Sequence, residues 1–251
     1  MMKMSEELEN IEEINENDDL EDLIEEHTII NWKYLKEKIS NMDTKSLVET
    51  MVMLELLVNK TLALEISKRD DAVFHLRKLI QDGSYWEEDG QGKGWTPIHT
   101  IHILPLIRNE KAMQLLLDIF RYRRNDITNR IIGEITGLLY HFGEDGIKSL
   151  IEFTKDETLE PFARAEAVTS LVALARTYPS HKDEIKGHIA NLIEVTQVVS
   201  FASLIADDLA AFQDKSMLPQ LKKAFRDGRI NDIFIAEEEI ESIINLTFRV
   251  S

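Results

Sequence analysis

The sequence predicts an all-α fold built as a helical solenoid, and three observations carry that prediction. Apolar residues return every 33 or 34 positions: Ile101, Ile135 and Val168 form one column, Leu104, Leu138 and Leu171 a second, and Leu116 and Leu150 a third. Such an interval fits paired helices, each pair burying its neighbour's face. Between the columns, apolar spacings of three and four recur, as on one side of a helix. Glycine and proline number only 10 and 5 in 251 residues, too few for a turn-rich β protein.

In chain order, residues 29–41 read as a first amphipathic helix. Asp43 or Thr44 then caps a longer one carrying Leu47, Met51, Leu54, Val58 and Leu62. Asp70 or Asp71 opens a third, with Val73, Leu76 and Ile80 inward and Gly83 as its stop. Ser84 to Gly94 breaks the pattern and reads as the longest internal loop. It also explains a shift in register, since Leu76 to Leu116 spans 40 residues and Leu116 to Leu150 spans 34.

Thr96-Pro97 is an N-cap followed by proline at the first helical position, and Pro105 is placed to kink or end that helix. Residues 110–122 form its partner. Asp126 opens a long helix ending near Gly143, which pairs with 144–155. Thr158 and Pro161 open the helix RAEAVTSLVALA, whose Ala165, Ala167, Ala173 and Ala175 allow close approach. Ser180 and Asp183 resemble a capping box opening 181–196. Residues 198–213 and 217–227 form a further pair, Gly228 ends it, and 236–247 form a last acidic helix.

Composition bounds the function. With no cysteine, disulfides and thiolate metal sites are excluded. The net charge is −17, and residues 1–26 hold twelve acids against Lys3. This acidic leader, 1–26, reads as a flexible solubilising tail or as a regulatory arm, with the repeat body at 27–251. Such a surface repels phosphate backbones, so broad nucleic-acid binding is not expected. No apolar run suits a membrane span or a signal peptide, which predicts a cytoplasmic protein without membrane contact.

Several repeat types share the interval. GWTPIH, with Thr96-Pro97-Ile98-His99, is an ankyrin-like fragment and leaves an ankyrin-like fold as an alternative, but it occurs once. The tetratricopeptide pattern is absent. Long paired helices with an arginine at the opening turn, Arg164 in PFARAEAVTSL, resemble HEAT-like repeats. FARAEAVTSLVALARTYPSHKDEIKGHIANLIE and the later ADDLAAFQDKSMLPQLKKAFRDGRINDIFIAEEEIESII resemble an uncharacterised bacterial HEAT-like family, over roughly residues 95–245. The resemblance implies a right-handed α–α superhelix, a HEAT/ARM-like solenoid of five or six helix pairs. Some relatives end in a cysteine-rich SEC-C zinc motif, for which this chain lacks the cysteines. The family brings no established activity or cofactor.

Four groups of residues are candidates for function. His99 and His102 stand three apart on one predicted helix, so both could reach one metal, with Glu87, Glu88 and Asp89 supplying carboxylates; the plain alternative is one packed and one solvated histidine. Gly90 to Gly94 suggests a phosphate cradle but lacks the Ser or Thr after Lys93 that a P-loop requires. Arg121, Arg123 and Arg124 form the densest basic spot, suited to an acidic peptide, a phosphate or the acidic leader, or else to a helix C-terminus. Trp86 and Trp95 flank the loop, as a contact site or as pins for it. HEAT-like folds include DNA glycosylases, where Asp126 or Glu134 would supply the carboxylate, but the acidic charge opposes that role. No nucleophile constellation stands out. The sequence therefore predicts a protein–protein interaction scaffold without a cofactor. Its partner is expected on the second helices of each pair, where Lys111, Gln114, Asp118, Arg121, Lys148 and Glu152 lie. A metal or small-ligand site at 84–102 is the alternative.

Overall fold

The computed structural model describes residues 32–246 apart from Ile132, and the side chains of 32–35, 128 and 129 are not described. The acidic leader lies outside the described residues. Every described element is helical, and no strand occurs among the described residues. The chain divides into two compact units, Met1–His99 and Thr100–Ser251.

In the first unit, α1 (Trp32–Ile39), α2 (Thr44–Met53), α3 (Lys60–Ser67) and α4 (Ala72–Gln81) enclose Ile39, Leu47, Met51, Leu54, Leu62, Ile66 and Leu76. Asp43 caps α2 by accepting from the Ser46 N–H at 2.8 Å. The single helix expected through Leu62 is instead broken. Glu55 adopts φ 49°, a tight 3₁₀ turn covers Glu55–Leu57, and Asn59 caps α3 through the Leu62 N–H. Val58 is consequently not in the core. Asp71 precedes α4 without capping it; its carboxylate accepts from the Thr44 hydroxyl at 2.5 Å and ties α4 to α2. The expected long loop contains two 3₁₀ turns, Gly83–Trp86 and Gln91–Gly94.

Helix α5 (Thr96–Ile107) contains Pro105 without ending there; it stops at Arg108, which adopts φ 55°. In the second unit follow α6 (Glu110–Tyr122), α7 (Arg124–Ile131), α8 (Ile135–Tyr140), α9 (Ile147–Lys155), α10 (Pro161–Thr177), α11 (Lys182–Val195), α12 (Val199–Leu204), α13 (Ala206–Ala210), α14 (Leu218–Arg226) and α15 (Glu237–Asn245). They pack in two rows. One row runs α8, α10, α12 with α13, then α15; the other runs α6, α9, α11, α14.

The columns hold with one correction. Ile101, Ile135, Val168, Leu104, Leu171, Leu116 and Leu150 are buried. Leu138 is only half-buried, and Leu139 beside it occupies the core. The cause is the break in the helix expected from Asp126 to Gly143. Gly133 adopts φ 80°, separating α7 from the short α8, so the inward residue after Ile135 comes four positions on rather than three. The helix expected over 198–213 likewise breaks, at Ile205 between α12 and α13. Glu160, not Thr158, caps α10, its carboxylate accepting from the Phe162 and Ala163 N–H groups at 3.1 Å each. No side-chain capping bond opens α11, so the expected capping box does not form.

Polar side chains repeat the interval. Gln114 donates to the Ser149 hydroxyl 35 residues on, Ser170 to the Thr136 carbonyl 34 back, and the Thr154 hydroxyl meets the His188 ring 34 on. Each such bond joins one hairpin to the next.

Candidate functional site

In the first unit, the Gly83–Trp86 turn carries Trp86, whose indole N–H donates to the Ile80 carbonyl at 3.0 Å and so pins the loop to the end of α4. Glu87, Glu88 and Asp89 beyond it are exposed. The next turn places Gly92, Lys93 and Gly94 successively at φ 74°, 47° and 69°. Gly92 has no alternative, since a Cβ there would lie 2.1 Å from the Thr96 hydroxyl. Lys93 forms an ion pair with Glu55 at 2.9 Å, joining two non-glycine residues with left-handed backbones. Trp95 stacks on His99 with ring centroids 6.3 Å apart, and the His99 Nε2 donates to the Glu55 carbonyl at 2.5 Å. Glu55, which the pattern had placed in mid-helix, thus organises this corner. His102 has another neighbour, the Glu134 carboxylate at 3.5 Å. Among the described residues no group of three or more His, Asp or Glu could hold a metal ion.

The arginine spot lies in the second unit, and its charges are engaged by acids of the following hairpin. Arg121 reaches Asp156 at 3.3 Å and Asp118 at 3.6 Å, with its guanidinium 5.5 Å from the Phe153 ring centre. Arg124 reaches Glu160 at 2.9 Å and Glu166 at 3.2 Å, and Arg123 pairs with Asp126 at 3.3 Å. The Thr158 hydroxyl, aided by Arg121, holds the Asp156 carboxyl below the usual carboxylate range. Burial pushes Glu166 up against the opposing pull of Arg124.

Three buried or bridging groups lie outside the four candidate groups, although Arg164 stands out in PFARAEAVTSL. Arg164 is fully buried, donating from Nε to the Thr154 carbonyl at 2.9 Å with its guanidinium 3.8 Å above the Phe201 ring. Asp208 is buried, accepts from the Thr169 hydroxyl at 3.0 Å, and is pushed up to about 7 by burial and then by Asp207. His181 bridges Glu184 at 3.0 Å and Glu144 at 2.8 Å, and both carboxylates raise its pKa. Their partners across hairpins, Phe201, Thr169 and Glu144, lie 37 to 39 residues away, a spacing beyond any local motif.

A cleft of about 510 Å³ opens where the N-terminal ends of α6 and α9 meet. Met113 and Phe142 form its floor, and Arg108, Glu110, Asp145 and Lys148 its rim. Gly143, beside Phe142 and at φ 66°, leaves room for the Arg108 side chain, since a Cβ there would lie 3.0 Å from the Tyr178 hydroxyl and 3.3 Å from the Arg108 guanidinium. The family model described as "Protein of unknown function (DUF1186)" matches residues 62–249. The chain belongs to the DUF1186 family. Two uncharacterised proteins, from Chlamydia trachomatis serovar D and Chlamydia muridarum, are each 25% identical to it over 185 residues. The alignments cover 70% of this chain and 69% and 70% of the two relatives. No solved structure matches. The DUF1186 match takes in the 83–99 corner, the arginine spot and the cleft alike. Across the described part of this DUF1186 chain, no helix is long and apolar enough to cross a membrane.

Proposed function

We propose that this DUF1186 protein is a non-catalytic, cytoplasmic HEAT-like solenoid, a right-handed helical-repeat scaffold holding a protein or peptide partner along its second-row helices. The observation that carries the reading is the cleft between α6 and α9, two successive helices of that row. It is open, apolar at its floor, and rimmed by two cations and two acids. A mixed rim suits an extended peptide with both charge signs better than a phosphate. The polar bonds one interval apart support stacking of like units.

Of the six second-helix candidates, Asp118 and Arg121 are engaged with each other and Asp156, Gln114 with Ser149, and Glu152 with Lys155. Lys111 and Lys148 are exposed, and Lys148, on the rim of the cleft, carries the proposed contact. Selection of displayed random peptides on the immobilised full chain tests it. Enriched peptides should lose at least tenfold in affinity with Lys148→Glu or Arg108→Glu. Peptides that tolerate both substitutions would place binding elsewhere.

A second reading, a small-ligand site at 84–102, draws on the left-handed backbones of Glu55 and Lys93 beside the Trp95–His99 stack. A metal or small molecule that raises the melting temperature of the parent chain, but not of His99→Gln, would favour it.

A further inference from the structure

At the far end of the second unit, a short turn presents two large apolar side chains to solvent. Ile233 is 87% exposed and Phe234 47%. Ile230 and Ile235 on either side are buried, so the turn is anchored at both ends. Its backbone is fixed as well. The Asn231 N–H donates to the Ser203 hydroxyl at 2.9 Å, the Asn231 side-chain oxygen accepts from the Ile233 N–H at 2.9 Å, and the Phe234 N–H donates to the Asn231 carbonyl at 3.0 Å. Val195 and Val199, at 51% and 39% exposure, flank the helices that hold it. Apolar side chains held outward by an ordered turn mark an interaction surface.

The charges beside the turn indicate what covers it. Residues 222–229 carry Lys222, Lys223, Arg226 and Arg229 against Asp227, whereas residues 232–241 carry Asp232, Glu237, Glu238, Glu239 and Glu241 and no cation. Lys222 is satisfied within the chain by Glu237 and Glu241. Arg226, Asp232, Glu238 and Glu239 remain exposed. Next to the turn, α11 and α14 enclose a cleft of about 300 Å³ with apolar Ile193, Pro219 and Ala224 in its walls beside Glu194, Asp227, Lys223 and Arg229. Lys223 pairs with Asp227 and Arg229 donates to the Glu194 carbonyl, which leaves Arg226 as the exposed cation of α14 outside these contacts. One surface thus holds an apolar knob within an acidic stretch, beside a socket with apolar walls and charge-balanced edges that adjoins the exposed Arg226.

We propose that two copies of this chain associate through this surface by two-fold symmetry, each placing Ile233 and Phe234 in the socket between α11 and α14 of the other. A two-fold axis sets the acidic stretch of one copy against the basic stretch of its partner, twice over, and the contact closes on itself. The surface is separate from the α6–α9 cleft, so the proposal stands or falls independently of the peptide-scaffold reading.

Sedimentation velocity of the full-length protein over a range of concentrations tests this. The parent chain is expected to shift from monomer to dimer mass as concentration rises. Phe234→Ser and Ile233→Ser should each weaken self-association at least tenfold without lowering the melting temperature, since both side chains are exposed. Lys223→Glu/Arg226→Glu and Glu238→Lys/Glu239→Lys should each be monomeric alone and form a mixed dimer when combined. A parent chain that stays monomeric at every concentration overturns the proposal. So does a dimer indifferent to Phe234→Ser, which would give the knob to a different protein, and so does failure of the charge-reversed pair to associate.

Discussion

Truncating Leu139 to alanine probes the register of the second unit at its least regular point. Leu139 is fully buried on α8, a helix of only six residues that packs against α10, while Leu138 beside it is half-buried. Removing a buried leucine side chain costs its transfer free energy plus that of the cavity, about 2–5 kcal/mol. In a protein of this size each kcal/mol lowers the melting temperature by roughly 2–4 °C, so a loss of about 4–20 °C is expected. Leu138→Ala removes a side chain already partly in water and should cost about 1 kcal/mol. Urea titrations followed by circular dichroism, with the slope of the transition compared between variants, measure both. If Leu138→Ala proves as costly as Leu139→Ala, the break at Gly133 is misplaced and the helix from Asp126 is continuous.

Three further outcomes follow from groups held between hairpins. Arg164→Ala removes the bond to the Thr154 carbonyl and the contact with Phe201, and should cost about 3–5 kcal/mol; Arg164→Lys should recover little, because an ammonium cannot lie flat on the ring; thermal melts of both variants check this. His181 has a raised pKa in the fold, first from Glu184 and then from Glu144, so its contribution is complete below the unfolded value of 6.5 and disappears as pH rises through the higher folded value. Melting temperatures from about pH 6 to pH 8 should therefore fall more steeply for the parent than for Glu144→Gln. Asp208, raised from 3.8 to about 7, is favoured in its neutral form by the fold, so its burden is absent below 3.8 and complete above about 7. Asp208→Asn keeps an acceptor for Thr169 and should stabilise the protein by about 1–3 kcal/mol at pH 8 and very little at pH 4, measured by urea titration at both values.

Much of the fold was legible because apolar periodicity is a local signal. The helix Glu110–Tyr122 and its buried Met113, Leu116, Leu117 and Phe120 stand where the spacing places them, as do α4 and its inward Val73, Leu76 and Ile80. What escaped is where a helix stops when side chains would allow it to continue. Leu54, Val58 and Leu62 keep helical spacing across a chain that turns at Glu55, a residue with no intrinsic preference for φ 49°. The turn there is held by partners far along the sequence, Lys93 and His99, which no window of a dozen residues contains. Gly133 did carry a local signal, but a lone glycine in a helical pattern is tolerated often enough to be passed over.

The basic spot shows the same limit in the candidate site. Four consecutive positions hold Arg121, Tyr122, Arg123 and Arg124, and along the sequence nothing nearby balances them except Asp118 and Asp126. In the folded chain Asp156, Glu160 and Glu166 arrive from the following hairpin. Charge density in sequence therefore measures only half of this electrostatic site, since the other half comes from the following hairpin. Arg124 makes the consequence sharp. Its side chain is largely buried, so replacing Glu160 and Glu166 with glutamine would take two counter-charges from a desolvated cation and lower stability. The arginine cluster fastens one hairpin to the next, and none of its three arginines lines the cleft rimmed by Arg108 and Lys148.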